Sequence, residues 1–135
     1  MYGALDISAS GLVAQRTRLN IISANLANQH SLLNEAGEYD PYRRRFAVFQ
    51  AAEGGDNGKV GGVSVAEIRE DQSDFTLKLD ADSPYADENG YVAYPNVNTV
   101  VETMNAMEAT RSYEANIMAV EATKSMMNVS LQIIR

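Results

Sequence analysis

The residues with the greatest capacity for chemistry are one histidine, one short run of arginines and one cluster of carboxylates. His30 is the only histidine and the chain has no cysteine, which excludes thiol catalysis, disulfides and cysteine-based metal sites. A lone histidine in a polar loop is more often a solvated residue than a base or a ligand. No serine lies in a nucleophile-elbow pattern. The residues therefore give little sign of catalysis and indicate no cofactor, and an enzyme would need convergent polar groups near His30 or the cluster from Asp80 to Glu88.

Two loops approach known binding motifs but differ from them where the chemistry is strict. In the stretch GGDNGK, Glu53 stands where a phosphate loop has its first glycine, and Val60 replaces the hydroxyl residue after the lysine. The carboxylates of residues 80–90, DADSPYADENG, crowd one turn, but Pro84 and Tyr85 occupy the fifth and sixth positions of a calcium loop, where a ligand and a glycine are needed. We predict a flexible loop, a solvated turn and no metal site.

Arg43, Arg44 and Arg45 form the only basic cluster, and the charge around them indicates their partner. Residues 35–95 hold 13 acidic and 6 basic side chains, whereas the rest of the chain holds 5 of each. The net charge of −7 therefore belongs to the middle of the chain, which disfavours nucleic acid as a partner. We expect the arginines to pair with a carboxylate, within the chain or across a contact between chains.

The N-terminal segment has the periodicity of an amphipathic helix over residues 2–28. Its apolar stripe falls within an arc of about 100° and consists of Leu5, Leu12, Leu19, Ile22 and Leu26. Asn25 and Asn28 lie outside the centre of this stripe, so neither is expected in the core. Asn28 is expected to end the helix, because asparagine tolerates left-handed geometry. The amide of Asn25 can donate and accept across a helix–helix contact.

The C-terminal segment, residues 97–133, contains no glycine or proline and predicts one helix about 55 Å long. Its stripe repeats with an eleven-residue spacing, which favours nearly straight helices; its members are Met104, Met107, Arg111, Ala115, Met118, Ala122, Met126, Val129 and Ile133. We expect the charge of Arg111 to be paired. The N-terminal helix is too short to cover the whole stripe, so apolar surface should remain for other subunits.

The middle of the chain reads as loops and short strands. Alternating or β-prone runs at residues 44–52, 62–68 and 74–79 predict strands, and glycine and proline clusters separate them. We therefore predict a mainly α fold with a small β region, in which the terminal helices pair as an extended coiled-coil-like hairpin. The predicted divisions are an N-terminal helix (1–30), a loop-rich β middle (31–96) and a long C-terminal helix (97–135). No apolar run is long enough for a membrane span, and the N-terminus lacks the pattern of a cleaved signal.

Three stretches resemble a known family. SASGLVAQRTRLNIISANLAN, residues 8–28, is similar to the N-terminal signature of bacterial flagellar rod and hook proteins. DENGYVAYPNVN (87–98) and RSYEANIMAVEATKSMM (111–127) resemble the proximal rod members of that family. The short chain fits the proximal rod, since the distal rod and hook proteins of the family carry larger inserted domains.

The resemblance implies a structural subunit of the flagellar basal body, not an enzyme. Such a protein polymerises helically with itself and other rod proteins, transmits torque from motor to hook, and contacts the membrane-ring adaptor. It lies in the periplasmic rod and leaves through the flagellar export apparatus without a cleaved signal. The apolar stripes, with Asn25 and Asn28, would then be its assembly interface, and Asn25 would meet another subunit. An alternative is a soluble protein-binding module with an acidic β surface.

Overall fold

The computed structural model describes residues 2–53 and 61–135. It contains two long helices and four short strands: α1 (Tyr2–Ala27), β1 (Arg45–Ala51), β2 (Val63–Glu70), β3 (Thr76–Leu79), β4 (Tyr91–Tyr94) and α2 (Thr99–Ile134). The chain is therefore mainly α with a small antiparallel β component, as predicted. Most of the glycine-rich loop predicted to be flexible, residues 54–60, lies outside the described residues.

The end of α1 differs from the predicted left-handed cap. Asn28 has no positive φ angle. Its backbone N–H donates to the Ala24 carbonyl at 3.0 Å, and its side-chain Nδ2 donates to the same oxygen at 2.8 Å. The Asn28 side chain also accepts a bond from Ser31 Oγ at 3.0 Å. Asn28 thus closes the end of the helix by donating both its backbone and its side-chain N–H groups to one carbonyl of the last turn.

The start of α2 is set by an asparagine cap. Asn98 is extended, with φ −99°, and its Oδ1 accepts from the backbone N–H groups of Val100 at 3.0 Å and Val101 at 3.3 Å. These bonds satisfy amides that have no partner inside the helix. Glu102, in the first turn, adds a negative charge at the positive end of the helix dipole.

The strands form two separate antiparallel hairpins. β1 pairs with β2 around an irregularity between Val48 and Phe49, and both strands contact α1. The hairpin is held to α1 where the Val63 N–H donates to Ser10 Oγ at 3.1 Å. Gly62 has φ +69°, and a Cβ there would overlap the Ser10 hydroxyl. Only glycine combines this backbone conformation with so close an approach to the helix.

Helices α1 and α2 contact each other and run in opposite directions. Arg18 faces Glu108 at 3.4 Å, and Asn25 Nδ2 lies 3.2 Å from a carboxylate oxygen of Glu102. Nearer the start of α1, a Cβ at Gly11 would lie 2.8 Å from the Asn116 side chain. Glycine therefore lets the two helices approach closely at this level.

The core of the described chain is small. Its buried apolar side chains are Ala14, Ile22, Val92, Pro95 and Ala109. The leucines of the predicted N-terminal stripe are only half-buried, so the deepest line of α1 runs beside them, through Ala14, Ile22 and Asn25. Ten of the exposed large apolar side chains lie on α2, which leaves much of that helix without a partner inside the chain.

Candidate functional site

Asn25 is a buried anchor that joins α1, β1 and α2. Its side chain is fully buried. The Nδ2 group donates to the Arg45 carbonyl at 2.8 Å and to Glu102 at 3.2 Å. Its Oδ1 accepts from the Tyr42 hydroxyl at 2.9 Å and from the Arg45 N–H at 3.0 Å. The expectation that Asn25 lies outside the core is therefore wrong, because its side chain is fully buried and its hydrogen-bonding capacity is used inside the chain.

Glu102 is the buried charge of the same cluster, with no exposed surface. Its carboxylate pairs with the guanidinium of Arg44, whose side chain is 21% exposed. Arg44 also lies 3.5 Å from Asp71. The prediction that the arginine run pairs with a carboxylate is confirmed for Arg44, and the partner lies within the chain. A buried carboxylate needs such a pairing to be tolerated in a low-dielectric interior.

The neighbouring arginines have different surroundings. Arg43 donates to the carbonyls of Asp71 at 3.0 Å and Ser73 at 3.1 Å, and its guanidinium lies 4.3 Å from the centre of the Phe75 ring. The Arg45 side chain is exposed. Its backbone is held by Asn25, so its position is fixed while its charge faces outward.

The cluster perturbs two titratable groups. Burial raises the pKa of the Tyr42 hydroxyl, and the positive charge of Arg45 partly offsets that effect. The N–H of Ser73, helped by the Ser73 hydroxyl and Arg44, lowers the pKa of Asp71. Both effects follow from hydrogen bonding and burial around one structural junction, and neither places a free acid or base in a cleft.

Asp71 predicts a pH dependence of stability. Since its pKa is lower in the folded chain, its ionised form stabilises the fold above the unfolded pKa, and that contribution is lost as the pH falls through the folded value. We expect Asp71→Asn to reduce the loss of unfolding free energy between about pH 5 and pH 2. Urea titrations at several pH values measure the slope of unfolding free energy against pH. The exposed Asp74→Asn is the control, and equal slopes for both variants would contradict the assignment.

The predicted stripe of α2 lies on the side of the helix opposite α1, and we call its nine residues the outer face of α2. Ala109 is buried, whereas Met118, nine residues or half a turn further round, is 69% exposed. Every member of the outer face is exposed; the set is Met104, Met107, Arg111, Ala115, Met118, Ala122, Met126, Val129 and Ile133. Arg111 makes no ion pair with any described residue, so its predicted partner is not found within the part of the chain that the structure describes.

The N-terminal members of the predicted interface are divided between core and flank. Ile22 and Asn25 are buried, whereas Leu5, Leu12, Leu19, Leu26 and Asn28 are half-buried. The predicted interface residues thus fall into two separate groups, one on α1 and one on α2. The residues on α1 help to hold the chain together, and those on α2 are free to contact something else.

The residues considered for catalysis and metal binding make contacts that support the local fold. His30 is exposed and packs edge-on against the Tyr94 ring. In the turn of residues 80–90, Asp87 accepts backbone bonds from Asn89 at 2.9 Å and Tyr91 at 2.8 Å. No group of metal-ligating side chains occurs among residues 2–53 and 61–135. Within the same residues, no helix has an apolar run that could cross a membrane.

Glu102 and Tyr42 are the members of the anchor that sequence reasoning missed. Glu102 lies seven residues before Ala109 and therefore on nearly the same side of α2. An acidic residue on that side, with a run of three arginines elsewhere in the chain, was the available signal. Tyr42 gave none, because its contact with Asn25 depends on how the loop before β1 folds back onto α1.

Comparisons with known proteins find the same group of relatives at both ends of the chain and over nearly its whole length. Residues 5–29 match the family model described as flagella basal body rod protein. Residues 88–133 match the model described as flagellar basal body rod FlgEFG protein C-terminal. The chain is 39% identical to the flagellar basal-body rod protein FlgC of Bacillus subtilis, covering 98% of this chain and 97% of the relative.

Two further relatives carry the same description. The protein of Salmonella typhimurium is 43% identical, covering 94% of this chain and 92% of its own. That of Aquifex aeolicus is 44% identical, covering 92% and 90%. The similarity includes the middle of the chain as well as the terminal stretches whose motifs were singled out.

Proposed function

This chain belongs to the FlgC family of flagellar basal-body rod proteins, and we propose that it polymerises helically with itself and other rod proteins to build the proximal rod. In that role it transmits torque from the motor to the hook. The family is one of structural proteins rather than enzymes. A rod subunit needs faces that bind its neighbours, and the observation that carries the proposal is the exposed outer face of α2.

The outer face has the chemistry of an interface. Met104, Met107, Met118 and Met126 are all more than half exposed, and methionine adapts to irregular gaps in a partner surface. An exposed apolar surface of this length is unusual for a monomer and marks a binding site. Contacts that repeat head to tail without closing give an open helical assembly.

The proposal extends to the arrangement of the chain within the rod. Residues 1–30 and 97–135 would form the inner layer, with α1 and α2 paired as a coiled-coil-like hairpin, and residues 31–96 would face outward. The small core supports this arrangement, since neighbouring subunits would supply the burial that the monomer lacks. We further propose the periplasm as its location, the flagellar export apparatus as its route and the membrane-ring adaptor as a partner.

Met118→Asp and Met126→Asp test the outer face without touching the anchor. Both side chains are exposed, so the unfolding free energy should change by less than about 0.5 kcal/mol. In the rod, each carboxylate would be buried against a neighbour, which costs several kcal/mol unless it is paired. In a host whose only copy of the protein is the variant, we expect loss of swimming and loss of the rod from purified basal bodies.

The matched control is Asn128→Asp, which adds the same charge to α2 at an exposed position outside the outer face. It should leave swimming intact. Normal basal bodies in both methionine variants would contradict the outer face as an interface. Loss of assembly in all three would show only that α2 tolerates no added acid, and the face would then have no special role.

A further inference from the structure

A groove at the junction of α1, β1 and α2 combines an apolar floor with a basic rim. It has a volume of about 330 Å³, and its floor includes Ile21, Phe46 and Phe49. Phe49 is 37% exposed. Arg18 and Arg45 also line the groove and supply its basic character. Such a groove fits an apolar segment that ends in carboxylates.

The rim arginines retain capacity for a further partner. Arg18 makes one contact with a carboxylate at 3.4 Å, and that carboxylate, on Glu108, is 67% exposed. Arg45 has an exposed side chain and makes no ion pair with a described residue. Its backbone is fixed by the bonds to Asn25. The backbone of Arg45 is thus fixed beside the groove, and only its side chain remains to be ordered when a partner binds.

The complementary surface is present on the same chain, at the end of the β3–β4 hairpin. Leu77 and Leu79 lie on one face of β3 and are 61% and 71% exposed, whereas Val92, on the other face of the hairpin, is fully buried. Asp80 and Asp82 follow directly in an exposed turn, and neither is in an ion pair with a described residue. We call residues 77–82 the hairpin tip.

The hairpin tip does not fill the groove of its own chain. Among the described elements, neither β3 nor β4 contacts α1 or β1. We propose that the hairpin tip of one copy docks in the groove of the next copy, with Leu79 on the apolar floor and Asp80 and Asp82 against Arg45 and Arg18. This contact rests on the proposed function, since it is a head-to-tail contact that leaves both surfaces open at the ends of the assembly.

The absence of cysteine from the chain allows a direct test. Ala47, which lines the groove, and Ala81, in the hairpin tip, are both replaced by cysteine in a host where this chain is the only copy. Oxidation of isolated basal bodies should give disulfide-linked dimers and longer chains. The matched control is Ala51→Cys with Ala81→Cys, which moves the first cysteine about 13 Å along β1. That distance exceeds the reach of a disulfide, so the control should give at least tenfold less cross-linked product.

A charge exchange provides the second measurement. Arg45→Glu should reduce swimming, and addition of Asp82→Arg in the same chain should restore at least half of it. Adding Asp74→Arg instead, a reversal before β3 and outside the hairpin tip, should restore nothing. Thermal unfolding of each purified variant shows that the comparison is between folded chains.

The outcomes separate the docking contact from the proposed function. Failure of the unmodified chain to support swimming would overturn both. Normal swimming with no cross-link between Ala47→Cys and Ala81→Cys, or with equal cross-linking in the control, would overturn the docking contact alone. A swimming defect in Arg45→Glu that Asp82→Arg does not rescue would also overturn it, and would assign the groove to a different protein.

Discussion

Asn25→Asp is expected to lower the unfolding free energy by more than about 3 kcal/mol, although the new side chain has the same size and shape. Asn25 Nδ2 donates to the Arg45 carbonyl and to Glu102 at 3.2 Å. An aspartate would place an oxygen at that position, facing a carbonyl and a second carboxylate in a fully buried site. The two N–H donors of the amide would be lost, and the new negative charge would face the carboxylate of Glu102. Urea unfolding of the purified chain measures the loss.

The control for this substitution is Asn20→Asp, which makes the same change at an exposed position of α1. It should alter the unfolding free energy by no more than about 0.5 kcal/mol. A small effect at Asn25 would contradict the assignment of its amide orientation. A large effect at Asn20 would indicate that α1 as a whole tolerates no added acid, rather than that the buried anchor is broken.

The helices could be predicted from the sequence because their signals are local. The predicted ranges, 2–28 and 97–133, differ from α1 and α2 by at most two residues at each end. The last 37 residues before Ile134 contain no glycine or proline, so no residue in this stretch interrupts a helix. Strands β2 and β3 were predicted by alternation, and β1 was predicted as a short strand. Strand β4 was not predicted, because its run before Pro95 is only four residues long.

The packing of the helices was harder to predict because it depends on small and polar residues. Apolar periodicity is dominated by large side chains such as methionine and leucine, so it identified the outer face of α2. The face that contacts α1 includes Ala109, Asn116 and Glu102, which such a search ignores. Small residues allow close approach, and a buried polar group is stable there only when distant parts of the chain supply its partners. Periodicity contains no information about those partners.

The same reasoning explains why Asn25 was misplaced. Its angular position on α1 set it at the border of an apolar stripe, where a polar residue is normally solvated or at an interface. Its burial follows from contacts with Tyr42, Arg45 and Glu102, which are 17, 20 and 77 residues away in sequence. The motif that identified the family therefore contains a residue that holds the subunit together, in addition to any role in joining subunits.

Glu102→Leu is the second substitution with a large expected effect, a loss of about 3 kcal/mol in unfolding free energy. It removes a carboxylate that is fully buried and leaves Arg44, whose side chain is 21% exposed, with only the longer contact to Asp71 at 3.5 Å. The cost is that of an uncompensated charge rather than of a lost attraction. Glu108→Leu, which breaks an ion pair with a 67% exposed carboxylate, should cost less than about 1 kcal/mol.

The double variant Glu102→Leu with Arg44→Met separates these two explanations. If the single substitution is costly because it strands a partly buried guanidinium, then replacing that guanidinium by an apolar chain of similar length should recover part of the loss. Urea unfolding of both single variants and the double variant gives the coupling energy directly. Additive losses would mean that Arg44 and Glu102 stabilise the chain through separate contacts. In that case the anchor would consist of Asn25 and its neighbours on α1 and β1, with the start of α2 held by the Asn98 cap and the contact between Gln29 and Thr99 at 2.6 Å.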